Sequence, residues 1–168
     1  MTSLSSYPVA KRWPALHPDR IQLYSMPTPN GVKVSIMLEE IGLDYEPHWV
    51  DIIKGDNREP EFVSLSPNAK IPAIIDPFGP ARKPIALFES GAILMYLAEK
   101  TGKLIPRDPN GRWETIEWVF FQMASIGPMF GQLGYFNKFA GKDIEAKRPL
   151  ERYRDESKRL LAAMETRL

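Results

Sequence analysis

Residues 85–102 read Ile-Ala-Leu-Phe-Glu-Ser-Gly-Ala-Ile-Leu-Met-Tyr-Leu-Ala-Glu-Lys-Thr-Gly, and they predict a strand followed directly by a helix. Residues 85–88 form a short apolar strand, and a segment with helical spacing follows directly. Gly102 ends this predicted helix. Ser90 belongs to the residue types that cap helices, and we expect it to start this helix. Before it, the segment 76–84 holds three Pro and one Gly, which is typical of a hairpin loop. A further apolar strand is predicted at 71–75, so the three elements form a β-β-α unit.

The sequence upstream of residue 71 predicts a β-α-β unit. A strand is expected at 20–24, a helix that starts at Thr28-Pro29 and ends at Gly42, and a second strand at 45–53. A β-α-β unit followed by a β-β-α unit gives a mixed sheet, the order of an α/β thioredoxin-like domain. Residues 1–19 contain three Pro and little periodicity, so we expect an extended N-terminal arm there.

The chain downstream of Gly102 is predicted to be helical. A long apolar helix over 111–135 should bend at Gly127-Pro128, and an amphipathic helix should cover 145–168. Its apolar face is expected to consist of Leu150, Tyr153, Leu160, Leu161, Met164 and Leu168. The predicted domains are therefore the arm 1–19, a thioredoxin-like domain 20–103 and an all-α domain 109–168, joined by a Pro-rich linker.

Composition excludes several kinds of chemistry. The 168 residues include no Cys, so disulfides, Cys-ligated metals and a nucleophilic Cys of the protein itself are excluded. Twenty-two Lys and Arg against 21 Asp and Glu leave a net charge of +1, which argues against a nucleic-acid partner. His17 and His48 have no motif partner, so no metal site is expected. The uncharged residues 118–137 have the length of a membrane span, but their polar and Gly residues favour a buried helix, so we expect a cytoplasmic protein with no membrane partner.

Four motifs resemble the soluble glutathione transferases. They are Pro-Thr-Pro-Asn-Gly (27–31), Ser-Pro-Asn-Ala-Lys-Ile-Pro-Ala-Ile (66–74), the stretch at 87–102, and Glu-Arg-Tyr (151–153). The Glu-Ser pair is common to that superfamily, whereas the first motif resembles the nu class, the bacterial glutathione-dependent disulfide-bond reductases. The resemblance covers about residues 20–168. It implies the glutathione transferase fold, with a thioredoxin-like domain followed by a helical one.

The resemblance implies that Glu89 and Ser90 bind the γ-glutamyl head of glutathione. Glu89 can accept bonds from the ammonium group, and Ser90, at the start of a helix, can donate to the carboxylate. A purely structural role of Ser90 as the helix cap is compatible with this one.

Lys70, Ile71 and Pro72 would face the middle of the ligand, because the Ile71 backbone could pair with it like an added strand. In the resembling family this Pro is cis, although most X-Pro bonds are trans. Lys70 could equally be a solvated loop charge.

Thr28 and Asn30 occupy the position that faces the glutathione sulfur in the resembling family. A hydroxyl or amide N–H that donates to a thiolate lowers the pKa of the thiol, so both are candidate catalytic residues. Structural roles as helix cap and first-turn residue remain open for them.

Asn57 matches a ligand-contacting position where the family commonly has the longer Gln. Arg152 matches the Arg of the Glu-Arg-Tyr motif and could pair with a ligand carboxylate, or could be a solvated helix charge.

These residues imply an enzyme that uses glutathione as its cosubstrate, without a metal, and reduces disulfide bonds through the glutathione thiolate. The resemblance also implies weak conjugation or peroxidase activity. The implied partners are reduced or oxidised glutathione, a small disulfide or electrophilic substrate, and a second copy of the chain in a homodimer. The alternative is a non-catalytic, glutathione-transferase-like interaction module. Family members normally continue past the last helix, so we expect an incomplete helical domain.

Overall fold

The computed structural model describes residues 4–168, which fall into two units. The first unit ends at Arg107, and the second comprises Asp108–Leu168. The first unit contains helices α1 (Val9–Arg12), α2 (Gly31–Ile41), α3 (Pro60–Val63) and α4 (Ser90–Thr101), and strands β1 (Ile21–Ser25), β2 (Tyr45–Trp49), β3 (Ala73–Asp76) and β4 (Ile85–Phe88). The second unit contains α5 (Pro109–Phe121), α6 (Gly127–Lys138) and α7 (Arg148–Glu165).

The four strands form one mixed sheet in the order β2-β1-β3-β4. Strand β1 is parallel to β2 and antiparallel to β3, and β3 is antiparallel to β4. This confirms the predicted thioredoxin-like order. The register places Tyr24, Ala73 and Phe88 in one row across three strands. The chain therefore leaves β1, enters β3 and leaves β4 at the same end of the sheet.

Both faces of the sheet are covered, because alternate residues of a strand point to opposite sides. Leu23 and Ile74 pack with residues of α2 and α4 in one buried cluster. Tyr24 and Ile75, on the other face, pack with Phe62 of α3 and with the N-terminal segment. These two layers hold the strand ends in place, and the loops that follow them can carry polar side chains.

The N-terminal segment is not an extended arm, so that prediction is wrong for residues 4–19. Val9 lies in the short helix α1 and is fully buried. Trp13 meets the rings of Tyr24 and Phe62 edge-on, at 6.3 Å from each, and its indole N–H donates to the Trp49 carbonyl at 2.9 Å. The three prolines led to the prediction of an extended arm, whereas packing onto the sheet stabilises a helical turn here. Residues 1–3 of the predicted arm lie outside the described part of the chain.

Strand β2 is shorter than predicted, since it ends at Trp49 rather than at residue 53. The Asp51 carboxylate accepts the backbone N–H groups of Ile53 and Lys54 at 3.0 and 3.1 Å. An Asp that bonds to the backbone two residues on is typical of a turn, and this turn ends the extended conformation. Ile53, which the strand prediction placed in the sheet, is 84% exposed.

The second unit is helical, as predicted, but its details differ. A π-helical turn at Gln122–Ile126 directly precedes α6, where the bend was predicted. On α7, Leu160 is buried and Tyr153 stacks on Phe136 at 5.6 Å, whereas Leu161 and Leu168 are 51% and 96% exposed. The predicted apolar face of this helix is therefore only partly used within the unit. Among residues 4–168 we find no helix that is both long and apolar enough to span a membrane.

Candidate functional site

A polar cavity of about 250 Å³ opens at the end of the sheet where β1 and β4 end and β3 begins. Three separate segments of the chain line it, because the end of β1, the start of β3 and the end of β4 lie in one row of the sheet. The lining residues are Asn30, Ser66, Asn68, Lys70, Ile71, Pro72, Phe88, Glu89 and Ser90. Six of them, Asn30, Lys70, Ile71, Pro72, Glu89 and Ser90, are predicted site residues. Ser66, Asn68 and Phe88 were not predicted as site residues, although each lies within one of the motifs at 66–74 and 87–102.

Thr28 caps the helix that follows β1 and does not line the cavity. Its hydroxyl oxygen accepts the Gly31 N–H at 3.1 Å, and its carbonyl accepts the Val32 N–H at 3.0 Å. This is the predicted cap, although the regular helix begins only at Gly31. Since a hydroxyl that accepts a bond can also donate one, Thr28 can cap the helix and still offer a proton to a nearby atom. Asn30 is exposed in the first turn, at the cavity itself.

Glu89 and Ser90 lie at the N-terminus of α4, with a different division of roles from the predicted one. Glu89, not Ser90, is the cap residue, and its carbonyl accepts the Ile93 N–H at 3.0 Å. Glu89 has φ 68° and ψ 110°, a conformation that a residue with a side chain rarely adopts. Its carboxylate is exposed, while Ser90 is only 7% exposed. The strained backbone directs an acidic side chain and a helix N-terminus to the same cavity.

The loop Ser66–Lys70 carries the next wall of the cavity. The Ile71–Pro72 peptide bond that follows it is cis. Ile71 is 9% exposed, so its side chain belongs to the core although the residue lines the cavity. Lys70 and Glu89 both line this cavity, and they place one positive and one negative charge around it.

Two predicted residues are not among the cavity-lining ones. The Asn57 side-chain N–H donates to the Ala69 carbonyl at 2.8 Å, and the side-chain oxygen of Asn57 is buried with no partner in residues 4–168. Arg152 is exposed on α7 in the second unit. The roles predicted for Asn57 and Arg152 as ligand contacts stay predictions.

Lys33 is a charged neighbour of the site that sequence reasoning missed. Burial lowers the pKa of its ammonium group, and the negative charge of Glu89 acts in the opposite direction. Lys33 stands three residues after Asn30 on α2, which is the spacing of side chains on one helix face. That spacing is the signal that could have identified it.

A second, mostly apolar cavity of about 330 Å³ lies between α2 and the edge strand β2. Its walls include Pro27 and Val32, which flank the Thr28–Gly31 segment, and Trp49 at the end of β2. Among residues 4–168 no group of three or more acidic or His side chains could hold a metal ion.

Residues 19–99 match the N-terminal domain of glutathione S-transferases. Disulfide-bond oxidoreductase YfcG of Escherichia coli is 47% identical over 150 residues, which cover 88% of this chain and 68% of that protein. The chain belongs to the glutathione S-transferase family. Its resemblance to the disulfide-bond oxidoreductase branch is thereby confirmed as well.

Solved glutathione transferases have the same fold. A glutathione transferase from Pseudomonas putida, with one glutathione disulfide bound per subunit, is 61% identical with a TM-score of 0.97, over 99% of this chain and 73% of that one. One from Burkholderia graminis, with two glutathione molecules per subunit, is 68% identical with a TM-score of 0.96, over 99% and 70%. The chain spans 54% and 53% of the length of two other curated relatives.

Proposed function

We propose that this protein binds glutathione in the polar cavity and uses the glutathione thiolate to reduce disulfide bonds. One observation carries the proposal: the fold brings Asn30, the Lys70–Pro72 segment and the Glu89–Ser90 pair around one cavity. Glutathione has an ammonium and a carboxylate at its γ-glutamyl head, peptide groups in the middle and a second carboxylate at its glycine end. The lining residues include donors and acceptors for each of these groups.

Each end of the cavity suits one end of glutathione. The Glu89 carboxylate accepts bonds from the ammonium of the head, while the N-terminus of α4 at Ser90 donates to its carboxylate. The Ile71 backbone pairs with the peptide groups in the manner of an added strand. Lys70 attracts the glycine carboxylate at the other end. The family relationship supports this orientation, since both solved relatives described above hold glutathione or its disulfide.

The protein acts on the sulfur through Thr28 and Asn30. Each offers a hydrogen-bond donor at the end of β1, and donation to a thiolate lowers the pKa of the thiol. A greater thiolate fraction accelerates attack on a disulfide, because the thiolate is the nucleophile. The chain has no Cys, so the electrons must come from glutathione.

The reaction proceeds by two exchange steps. The glutathione thiolate attacks one sulfur of the substrate disulfide, forms a mixed disulfide and expels the other substrate sulfur as a thiolate. A second glutathione thiolate then attacks the glutathione sulfur of the mixed disulfide and releases the remaining substrate thiolate. Two glutathione molecules are oxidised to one glutathione disulfide, the substrate disulfide is reduced to two thiols, and the two protons lost by glutathione end on these products.

We further propose a homodimer that works in the cytoplasm, where glutathione is mostly reduced. Large aromatic side chains of the helical unit support an interface between copies, since Trp113 and Phe120 are 68% and 65% exposed. Light scattering of the purified chain tests the dimer directly. A monomer at micromolar concentration would contradict this part of the proposal.

The decisive experiment measures the binding of reduced and oxidised glutathione by calorimetry, and glutathione-dependent reduction of bis(2-hydroxyethyl) disulfide. Thr28→Ala and Asn30→Ala should each lower the rate by about 10- to 100-fold, in the range that loss of a positioned donor costs. Thr101→Ala is the matched control, because it removes a Thr hydroxyl that bonds to the helix backbone, by donating to the Leu97 carbonyl, at the far end of α4.

Three results would count against the proposal. If the folded protein binds neither form of glutathione, the enzyme proposal fails. Binding without turnover would favour the interaction module instead. Unchanged rates in both variants would overturn the roles given to Thr28 and Asn30.

A further inference from the structure

The loop Ser66–Lys70 is held by two side chains at successive carbonyl groups. The Asn57 side-chain N–H donates to the Ala69 carbonyl at 2.8 Å, and the Ser66 hydroxyl donates to the Lys70 carbonyl, also at 2.8 Å. Ile71 is the next residue, so both bonds act on the peptide groups that set the direction of its backbone.

Ala69 shows why the loop needs this support. It has φ 53°, a left-handed conformation that a residue with a Cβ disfavours. Its own N–H donates to the Ser66 carbonyl at 2.8 Å, and its carbonyl is the acceptor for Asn57. The shape of the loop is therefore imposed by bonds at both ends of Ala69 and not by the preference of the residue.

Both donors are themselves well fixed. Ser66 is completely buried, so its hydroxyl has a defined environment. Asn57 lies in a 3₁₀ turn, Asp56–Arg58, that is tied down by its first residue. The Asp56 carboxylate accepts the Asp51 N–H at 3.0 Å and pairs with the Arg12 guanidinium at 2.6 Å.

We propose that Asn57 and Ser66 are positioning residues that set the glutathione affinity of this site by holding the Ile71 backbone toward the ligand. The inference rests on the proposed function. It assigns Asn57 a role different from the predicted ligand contact, because its side-chain amide bonds to the Ala69 carbonyl and Asn57 is not among the cavity-lining residues. Neither residue is expected to act on the sulfur, where Thr28 and Asn30 operate.

The sharpest variant is Asn57→Asp, which keeps the shape of the side chain but places an acceptor against the Ala69 carbonyl. Ser66→Ala removes the second donor. We expect each change to raise the Kd and KM for glutathione about tenfold, the factor that one net hydrogen bond represents. The kcat should stay within about twofold of the wild-type value, since the groups at the sulfur are unchanged.

Two control variants separate positioning from a general effect on folding. Ser64→Ala removes a similar bond, from the Ser64 hydroxyl to the Glu61 carbonyl at 2.7 Å, two residues from Ser66. Asn137→Asp makes the same charge change at an exposed residue of the second unit. Both should leave Kd and KM unchanged. Asn57→Ala replaces Asn57→Asp if the latter does not fold.

The amide resonances of Lys70 and Ile71 in the ligand-free protein give a second readout, which does not depend on glutathione. They should shift in Asn57→Asp and Ser66→Ala but not in Ser64→Ala. Unchanged Kd in folded variants would overturn the proposal, as would a fall in kcat with Kd unchanged. If the wild type binds no glutathione, the proposed function fails, and the resonances alone decide whether Asn57 and Ser66 position this backbone.

Discussion

The imidazole of His48 stacks on the ring of Tyr24, with centroids 4.6 Å apart and planes 15° from parallel. The His48 ring N–H donates to the Gln22 side-chain oxygen at 2.8 Å, because the Gln22 amide group already donates to the His17 and Arg20 carbonyls. The Gln22 side chain thus ties residues 17–20 to strand β1, and the His48 imidazole joins strand β2 to the same side chain.

The first prediction concerns the pH dependence of stability. Burial lowers the pKa of His48 below its usual value of 6.5, and the nearby Glu46 charge opposes this only in part. As the pH falls, the unfolded chain therefore binds the proton first. The stability that the neutral His48 contributes is fully present above about pH 6.5 and is lost as the pH falls through the lowered pKa. Urea unfolding at several pH values between 5 and 8 should show this slope.

A His48→Gln variant is the control for that prediction. It removes the titrating group, so the slope of its unfolding free energy between pH 5 and 7 should be smaller than that of the wild type. Equal slopes in the two proteins would show that another group is responsible.

The second prediction concerns the strained backbone of Glu89, at φ 68° and ψ 110°. Glu89→Gly relieves a strain of about 1–3 kcal/mol and costs about 1 kcal/mol in chain entropy, so it should raise the stability by up to about 2 kcal/mol. It should also weaken glutathione binding at least about tenfold, because a charged partner is lost. Thermal unfolding and calorimetry of Glu89→Gly and Glu89→Gln test both effects. Glu89→Gln keeps the strain, so it should lose affinity without the gain in stability.

The third prediction separates the two roles of the Thr28 hydroxyl. Thr28→Ala should lower the unfolding free energy by about 1 kcal/mol, since the Gly31 N–H loses its acceptor. Thr28→Ser keeps the hydroxyl and should retain both stability and disulfide reductase activity. Urea unfolding together with the rate assay measures the two properties. A Thr28→Ser variant as slow as Thr28→Ala would show that the hydroxyl is not the active group.

The fourth prediction concerns Gly31, the last residue of the Pro-Thr-Pro-Asn-Gly motif. An added Cβ would overlap the Met26 carbonyl oxygen and come within 2.5 Å of the Ser25 hydroxyl. Gly31→Ala should therefore displace the start of α2, lower the unfolding free energy by about 1–3 kcal/mol and weaken glutathione binding. Gly131→Ala, on α6 with no atom within 4 Å of the added Cβ, should instead stabilise by about 0.5–1 kcal/mol. Denaturant unfolding of the two variants should give opposite signs.

Much of the sheet and of the cavity could be predicted from local patterns. Strand β4 was predicted with the bounds that the structure shows, and the cap at Thr28 with its hydrogen bond, because both depend on neighbouring residues. The end of β2 was missed because Ile52 and Ile53 continue an apolar run, and the Asp51 turn outweighs it. In such places a side chain that bonds to the backbone overrides hydrophobic patterning.

Long-range relationships could not be predicted. The bond from Asn57 to Ala69 joins residues 12 apart, and nothing in either local sequence marks the partner. The burial of α1 depends on the ring contacts of Trp13 with Tyr24 and Phe62. Only the folded sheet brings these residues together. The motif residues of the cavity could be identified, whereas the hydrogen bonds that hold them in place could not.

The cavity has one further consequence for the protein in solution. Its walls come from segments around residues 30, 66–72 and 88–90, so it exists only while the first unit is folded. A molecule that binds there adds to the unfolding free energy by mass action, about 2.7 kcal/mol at a concentration 100 times its Kd. The melting temperature should therefore rise with glutathione concentration, and a Glu89→Gln variant should respond less. The supply of glutathione in the cell would then also set the fraction of the chain that is unfolded.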